Sequence, residues 1–86
     1  MKAILTVIGK DRVGIIASIS GRLAEYNVNI LDITQTILHD YFTMVMVIDL
    51  SASKYDILGL QKAFYDITDL EIRIQSEEIF NSMHRL

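Results

Sequence analysis

Eighty-six residues with 51% hydrophobic content are enough for one domain with a thin core and too few for a second. The net charge is −3 and the eight lysines and arginines are scattered from Lys2 to Arg85, which disfavours a nucleic-acid or anionic-membrane partner. The absence of cysteine excludes disulfides, thiolate metal sites and thiol catalysis, as expected of a cytoplasmic protein.

The opening MKAILTVIGKD has a short apolar stretch that runs into Asp11 and does not read as a secretory signal. Ala3 to Ile8 is rich in branched residues and predicts a buried strand ending at Gly9. From Val13 the period changes. Ile15, Ile16, Ile19, Leu23 and Tyr26 share one stripe of a helix, with Asn27 as a left-handed terminator. Asn29 to Leu38 alternates, with Leu31, Ile33 and Ile37 on one side and Ile30, Asp32, Thr34 and Thr36 on the other, the pattern of an edge strand.

His39-Asp40 is a turn, and Tyr41 to Leu50 a third strand, apolar on both sides at its centre. The longest apolar run, Phe42 to Ile48, is far too short to span a membrane. Ser53 and Asp56 make a capping-box-like start for a second helix carrying Ile57, Leu60, Phe64 and Ile67. Thr68-Asp69 turns into a fourth strand, Leu70 to Ile74. Residues 77 to 86 form a last helix, with Ile79, Phe80, Met83 and Leu86 on one face, two acids opening it and His84-Arg85 closing it.

The order is β-α-β-β-α-β plus a terminal helix: an α+β, ferredoxin-like sandwich with a four-stranded antiparallel sheet and both long helices on one face. The single domain covers residues 1–86, with 77–86 as an extension. Two helices hide one face of the sheet, yet the third strand is apolar on both, so a second copy, a ligand or the terminal helix must cover the other. A homodimer helped by the terminal helix is the favoured arrangement.

The loop GKDRVG, Gly9 to Gly14, is neither a P-loop, since Ile15-Ile16 follow the second glycine, nor a three-glycine dinucleotide fingerprint. It lies between a strand end and a helix start, where backbone N–H groups attract a carboxylate. Asp11 beside it suits an ammonium group, so the loop suits a zwitterionic amino acid. The plainer alternative makes Asp11 the helix N-cap and Gly9 a turn residue. Asn29 either contacts a ligand across the sheet edge or holds its local turn. Gly21 and Gly59, inside helices, suggest close helix–helix packing. His39 and His84 read as solvated residues, Asp32 as a guard against edge-to-edge aggregation, and no nucleophile–base pair or metal-ligand spacing is present. No cofactor is implied, and an enzyme is the weaker class.

The runs V-I-G-K-D-R-V-G-I-I-A and L-A-E-Y-N-V-N-I-L-D-I-T-Q-T-I, with Phe42-Thr43-Met44 and the ending Glu78 to Arg85, resemble the ACT domain over essentially the whole chain. The likeness is to short stand-alone prokaryotic ACT proteins and to the ACT modules of the glycine cleavage system transcriptional repressor. It implies a regulatory module that associates with itself and senses an amino acid or related metabolite at a subunit interface. On matching positions the effector site comprises Gly9, Asp11, Arg12, Val13 and Gly14 of the first loop and Asn29 and Ile30 of the second strand. Many relatives have proline where this chain has Val13. Most ACT domains control an attached partner, so here the expected target is a separate protein. The alternatives are an interaction module without a small ligand, or a small dimeric enzyme with an enclosed pocket.

Overall fold

The computed structural model describes residues 1–83. Its elements are β1 (Lys2–Lys10), α1 (Ile15–Glu25), β2 (Asn29–Leu38), β3 (Tyr41–Asp49), α2 (Ile57–Lys62), β4 (Leu70–Ser76) and α3 (Glu77–Met83). The strands form one antiparallel sheet in the order β2-β3-β1-β4, so β1 and β3 are central and β2 lies at an edge. This is the ferredoxin-like arrangement that the sequence pattern predicts. His84, Arg85 and Leu86, expected to close the last helix, lie outside the described residues.

One face of the sheet carries the core. Ala3, Leu5 and Val7 of β1 and Phe42, Met44, Met46 and Ile48 of β3 are buried against Ile15, Ile19 and Leu23 of α1 and Leu60 and Phe64 at α2. Each such side chain contributes on the order of 1.5–3 kcal/mol by leaving water. The outer face is only partly covered: α3 turns back directly from β4 and lies over β1 and β4. Val45 and Val47 of β3 stay half-buried there. The expectation that the terminal helix helps to hide this face therefore holds for half of the sheet.

Local signals explain the helix ends. Asn27, with φ 57°, closes α1; its N–H reaches the Ala24 carbonyl at 3.1 Å and the Val28 N–H reaches that of Leu23 at 2.9 Å, the paired bonds of a Schellman end. The cap of α2 is Asp56 rather than Ser53. The Asp56 carboxylate accepts from the Gly59 N–H at 2.8 Å, while the Ser53 hydroxyl accepts from the Tyr55 N–H at 3.2 Å and only shapes the preceding turn. Helix α2 is also shorter than its apolar stripe. After Lys62 the chain continues in tighter turns such as Phe64 N–H to Gln61 carbonyl, and Arg22 of α1 donates to the Ala63 carbonyl at 2.8 Å and pairs with Asp66.

The two helix glycines have other roles than close helix packing. Gly21 is exposed, with open space where a Cβ would stand. At Gly59 a Cβ would meet the Asp56 carboxylate and the Tyr55 ring, both at 3.2 Å, so that glycine makes room for the cap.

The sheet edges differ. In β2 the register shifts between Ile30 and Asp32, a bulge at Leu31 that the simple alternation does not anticipate. Beyond it Ile33, Gln35 and Ile37 stand opposite Met46, Met44 and Phe42 on the helix side, and so does Ile30, opposite Ile48. Ile30 therefore belongs with Ile33 and Ile37, not with Asp32 and Thr34. Ile33 and Ile37 remain 42% and 56% exposed. The β4 edge is occupied: the Gln61 amide donates to the Ile72 carbonyl at 2.8 Å and accepts from the Ile74 N–H at 2.9 Å, taking the place of a neighbouring strand.

Candidate functional site

The loop after β1 begins with a close approach. A Cβ on Gly9 would come within 2.6 Å of the Leu70 side chain and 3.0 Å of the Asp69 carbonyl, so this position needs glycine where β1 and β4 meet. The Asp11 N–H donates to the Asp40 carbonyl at 2.7 Å, tying the loop to the β2–β3 turn. Asp11 is not the helix cap. The N-cap is Gly14, with φ 87° and ψ 6° and no side-chain hydrogen bond, a left-handed conformation suited to glycine. It starts α1 at Ile15, two residues later than the apolar period suggests, and leaves the Asp11 carboxylate on the exposed loop.

Arg12 is engaged rather than free. Its guanidinium grips both carboxylate oxygens of Asp69 and reaches the Val13 carbonyl at 3.3 Å. The hydrogen bond to Asp69 raises the Arg12 pKa above its ordinary value and holds the Asp69 carboxyl below the usual carboxylate range. Val13 is 98% exposed.

Between this loop and β2 lies a cleft of about 350 Å³. Its polar rim is formed by Asp11, Arg12 and Gly14, its apolar walls by Ile16, Ile37 and Phe42, and Gln35 enters from β2. The first-turn N–H groups of α1 have no acceptor within the helix, and Gly14 puts no side chain in front of them. Gln35 is the polar lining residue that lies outside the expected set, as do the apolar Ile15, Ile16, Ala17, Ile37 and Phe42. The one signal for Gln35 is a polar side chain on the apolar parity of an edge strand.

The predicted site residues fall into two groups. Gly9, Asp11, Arg12, Val13 and Gly14 are together at one end of the sheet. Asn29 and Ile30 are at the other: Lys10, Tyr41 and Leu38 share the first row of the register, Lys2, Asp49 and Asn29 the last. The strand length separates them by roughly 25 Å. Within one chain they do not meet.

Among the described residues, neither this cleft nor a second one between α3 and the sheet is lined by a histidine or by two carboxylates. Among the described residues no three His, Cys, Asp or Glu side chains group to hold a metal, and no helix is long and apolar enough to cross a membrane.

The sequence and the fold both match known proteins. A UPF0237 protein of Clostridium perfringens is 53% identical, covering 100% of both chains. The structure of an ACT domain protein from Streptococcus pneumoniae superposes with a TM-score of 0.79 at 47% identity, covering 98% of both chains. A formyltetrahydrofolate deformylase from Pseudomonas syringae contains a similar unit, with a TM-score of 0.80 and 28% identity over 87% of this chain and 27% of that one. The ACT domain family model matches residues 2–74, from the start of β1 into β4 and including both helices that cover the core, and on these grounds the chain belongs to the ACT domain family.

Proposed function

We propose that this ACT domain is a regulatory module that pairs with a second copy and takes up a small amino acid or related metabolite in the cleft between the β1–α1 loop and β2. The observation that carries the reading is the direction of the edge strand. β1 and β2 are both antiparallel to β3, so they run the same way and the loop adjoins the C-terminal end of β2. A two-fold axis that joins β2 to its copy makes the strands antiparallel. The start of one β2 then lies beside the loop of the other chain, which reunites the two groups of site residues.

In that pair Ile30 of the partner subunit lies on the cleft's side of the sheet, and Asn29 of the partner subunit stands at the rim. The α1 N–H groups and the positive end of its dipole receive the carboxylate, Asp11 receives the ammonium group, and Gln35 adds an amide. The exposed Ile33 and Ile37 supply apolar area to the seam, and occupation of the cleft favours the paired state, altering how it docks on a separate target.

Isothermal calorimetry against the standard amino acids, with Asp11→Ala and Asn29→Ala as controls, tests the reading. Heat with one ligand, lost in both variants, is expected; no heat and no thermal shift with any of them removes it. An interaction module without a small ligand is favoured by one observation, the exposed Leu38 and Tyr41 at the hairpin tip, 67% and 60% accessible. In that case Tyr41→Glu, but not Asp11→Ala, abolishes target capture.

A further inference from the structure

The outer face of the sheet, opposite the face that carries the loop cleft, holds a second cleft. α3 follows β4 without an intervening loop and folds back over β1 and β4, leaving about 250 Å³ beneath it. The floor is polar. On the antiparallel β1–β4 pair Thr6 stands opposite Arg73 and Ile8 opposite Glu71, and Gln75 continues the β4 row. The overhang is apolar, made by Phe80 and Met83 of α3.

Phe80 and Met83 of α3 overhang a mixed surface, in which Ile8 stands beside the polar side chains of Thr6, Glu71, Arg73 and Gln75. No α3 residue is fully buried, and seven residues do not hold a helix alone in water. The Ser76 hydroxyl accepts from the Ile79 N–H at 3.1 Å, and the Gln75 amide lies against the Met83 sulfur at 3.2 Å.

The charges define what fits. Arg73 and Glu71 lie on one face of one strand and touch at a long 3.4 Å, with side chains 61% and 67% exposed. Among the described residues the Arg73 guanidinium, whose fork matches a carboxylate, pairs with Glu71. A neutral pair of opposite charges is matched by a ligand that is itself neutral overall and carries both signs.

We propose that the cleft beneath α3 is a second ligand site, for an α-amino acid with an apolar side chain. Its carboxylate pairs with Arg73, its ammonium group with Glu71, and its side chain packs between Ile8, Phe80 and Met83. Occupancy fastens α3 to the sheet, so the ligand state of the outer face is read out as order in the terminal helix. This site stands or falls independently of the cleft at the β1–α1 loop.

The test is an amide chemical-shift titration of the full chain with L-leucine, L-methionine and L-phenylalanine in turn, repeated for Arg73→Ala, Glu71→Gln and Asp11→Ala. At least one ligand is expected to shift Thr6, Arg73, Gln75 and residues 77–83 saturably and to slow hydrogen exchange in 77–83. Both effects are expected to weaken at least tenfold in Arg73→Ala and Glu71→Gln and to survive in Asp11→Ala. Matching melting temperatures of the variants show that the fold is intact, as exposed positions should allow. Shifts confined to the loop and Gln35, shifts of β4 and α3 that persist in Arg73→Ala, or no shift at millimolar ligand each overturn the proposal.

Discussion

Arg12 and Asp69, 57 residues apart in the chain, close a two-pronged ion pair that ties the β1–α1 loop to the turn entering β4. The pair fixes one rim of the cleft, yet its side chains are 38% and 54% accessible, so solvent screens most of its worth to global stability. Arg12→Gln is expected to lower the melting temperature only slightly while hydrogen exchange at residues 11–14 speeds up. A large loss of melting temperature with unchanged loop exchange would contradict this role.

Stability should fall on the acid side. The carboxyl of Asp66 is held low by its hydrogen bonds with Arg22, that of Asp69 by those with Arg12, and that of Asp49 by the Ser51 hydroxyl and N–H and then by the amino terminus. A group whose folded value lies under its unfolded value stabilises fully above the unfolded value and loses that contribution as pH falls through the folded one. Urea midpoints are therefore expected to be level from neutrality to about pH 5 and to drop below about pH 4. Asp66→Asn combined with Asp69→Asn should flatten the drop; an undiminished acid limb in that double variant argues against these pairs.

Two glycines should respond to alanine with opposite sign. Gly14 has φ 87° and nothing within 4 Å of a built Cβ, so Gly14→Ala meets no clash but must hold a left-handed backbone, at a cost of about 1–2 kcal/mol. Gly21 is exposed inside α1 with equally open space, and Gly21→Ala should stabilise by up to ~1 kcal/mol. Urea titration of the two variants measures both. The same sign for both would show that the backbone of one is misassigned.

The proposed seam is tested at Ile37, 56% exposed on the helix side of β2. Ile37→Glu should leave the circular dichroism spectrum unchanged and convert a sedimenting dimer to monomer. A wild-type chain that sediments as a monomer at micromolar concentration removes the seam itself.

Most of the architecture is legible in the sequence because it rests on local periodicity. The β2 strand occupies Asn29–Leu38 and the turn His39-Asp40 where alternation and turn chemistry put them, and Asn27 ends α1 through its left-handed backbone. What escapes is set by distant or one-residue events. The bulge at Leu31 adds one residue to an otherwise regular alternation and moves Ile30 to the other side of the sheet. The Asp69 partner of Arg12 and the Asp66 partner of Arg22 belong to elements brought together only by folding. Asp56 caps α2 in place of Ser53 because both residues suit a cap by type, and only the approach of the Gly59 N–H separates them. Asp11 and Asn29, both expected at the effector site, lie at opposite ends of the sheet, one just past the end of β1 and the other at the start of β2.

The amide of Gln61 lying along Ile72 and Ile74 has a consequence for growth. A sheet with two bare margins can add copies head to tail without limit, the route to fibres. Here one margin is plugged from within the molecule, so polymerisation has a single available end, and two chains joined there exhaust it. Gln61→Ala would reopen the plugged margin and let the proposed pair elongate.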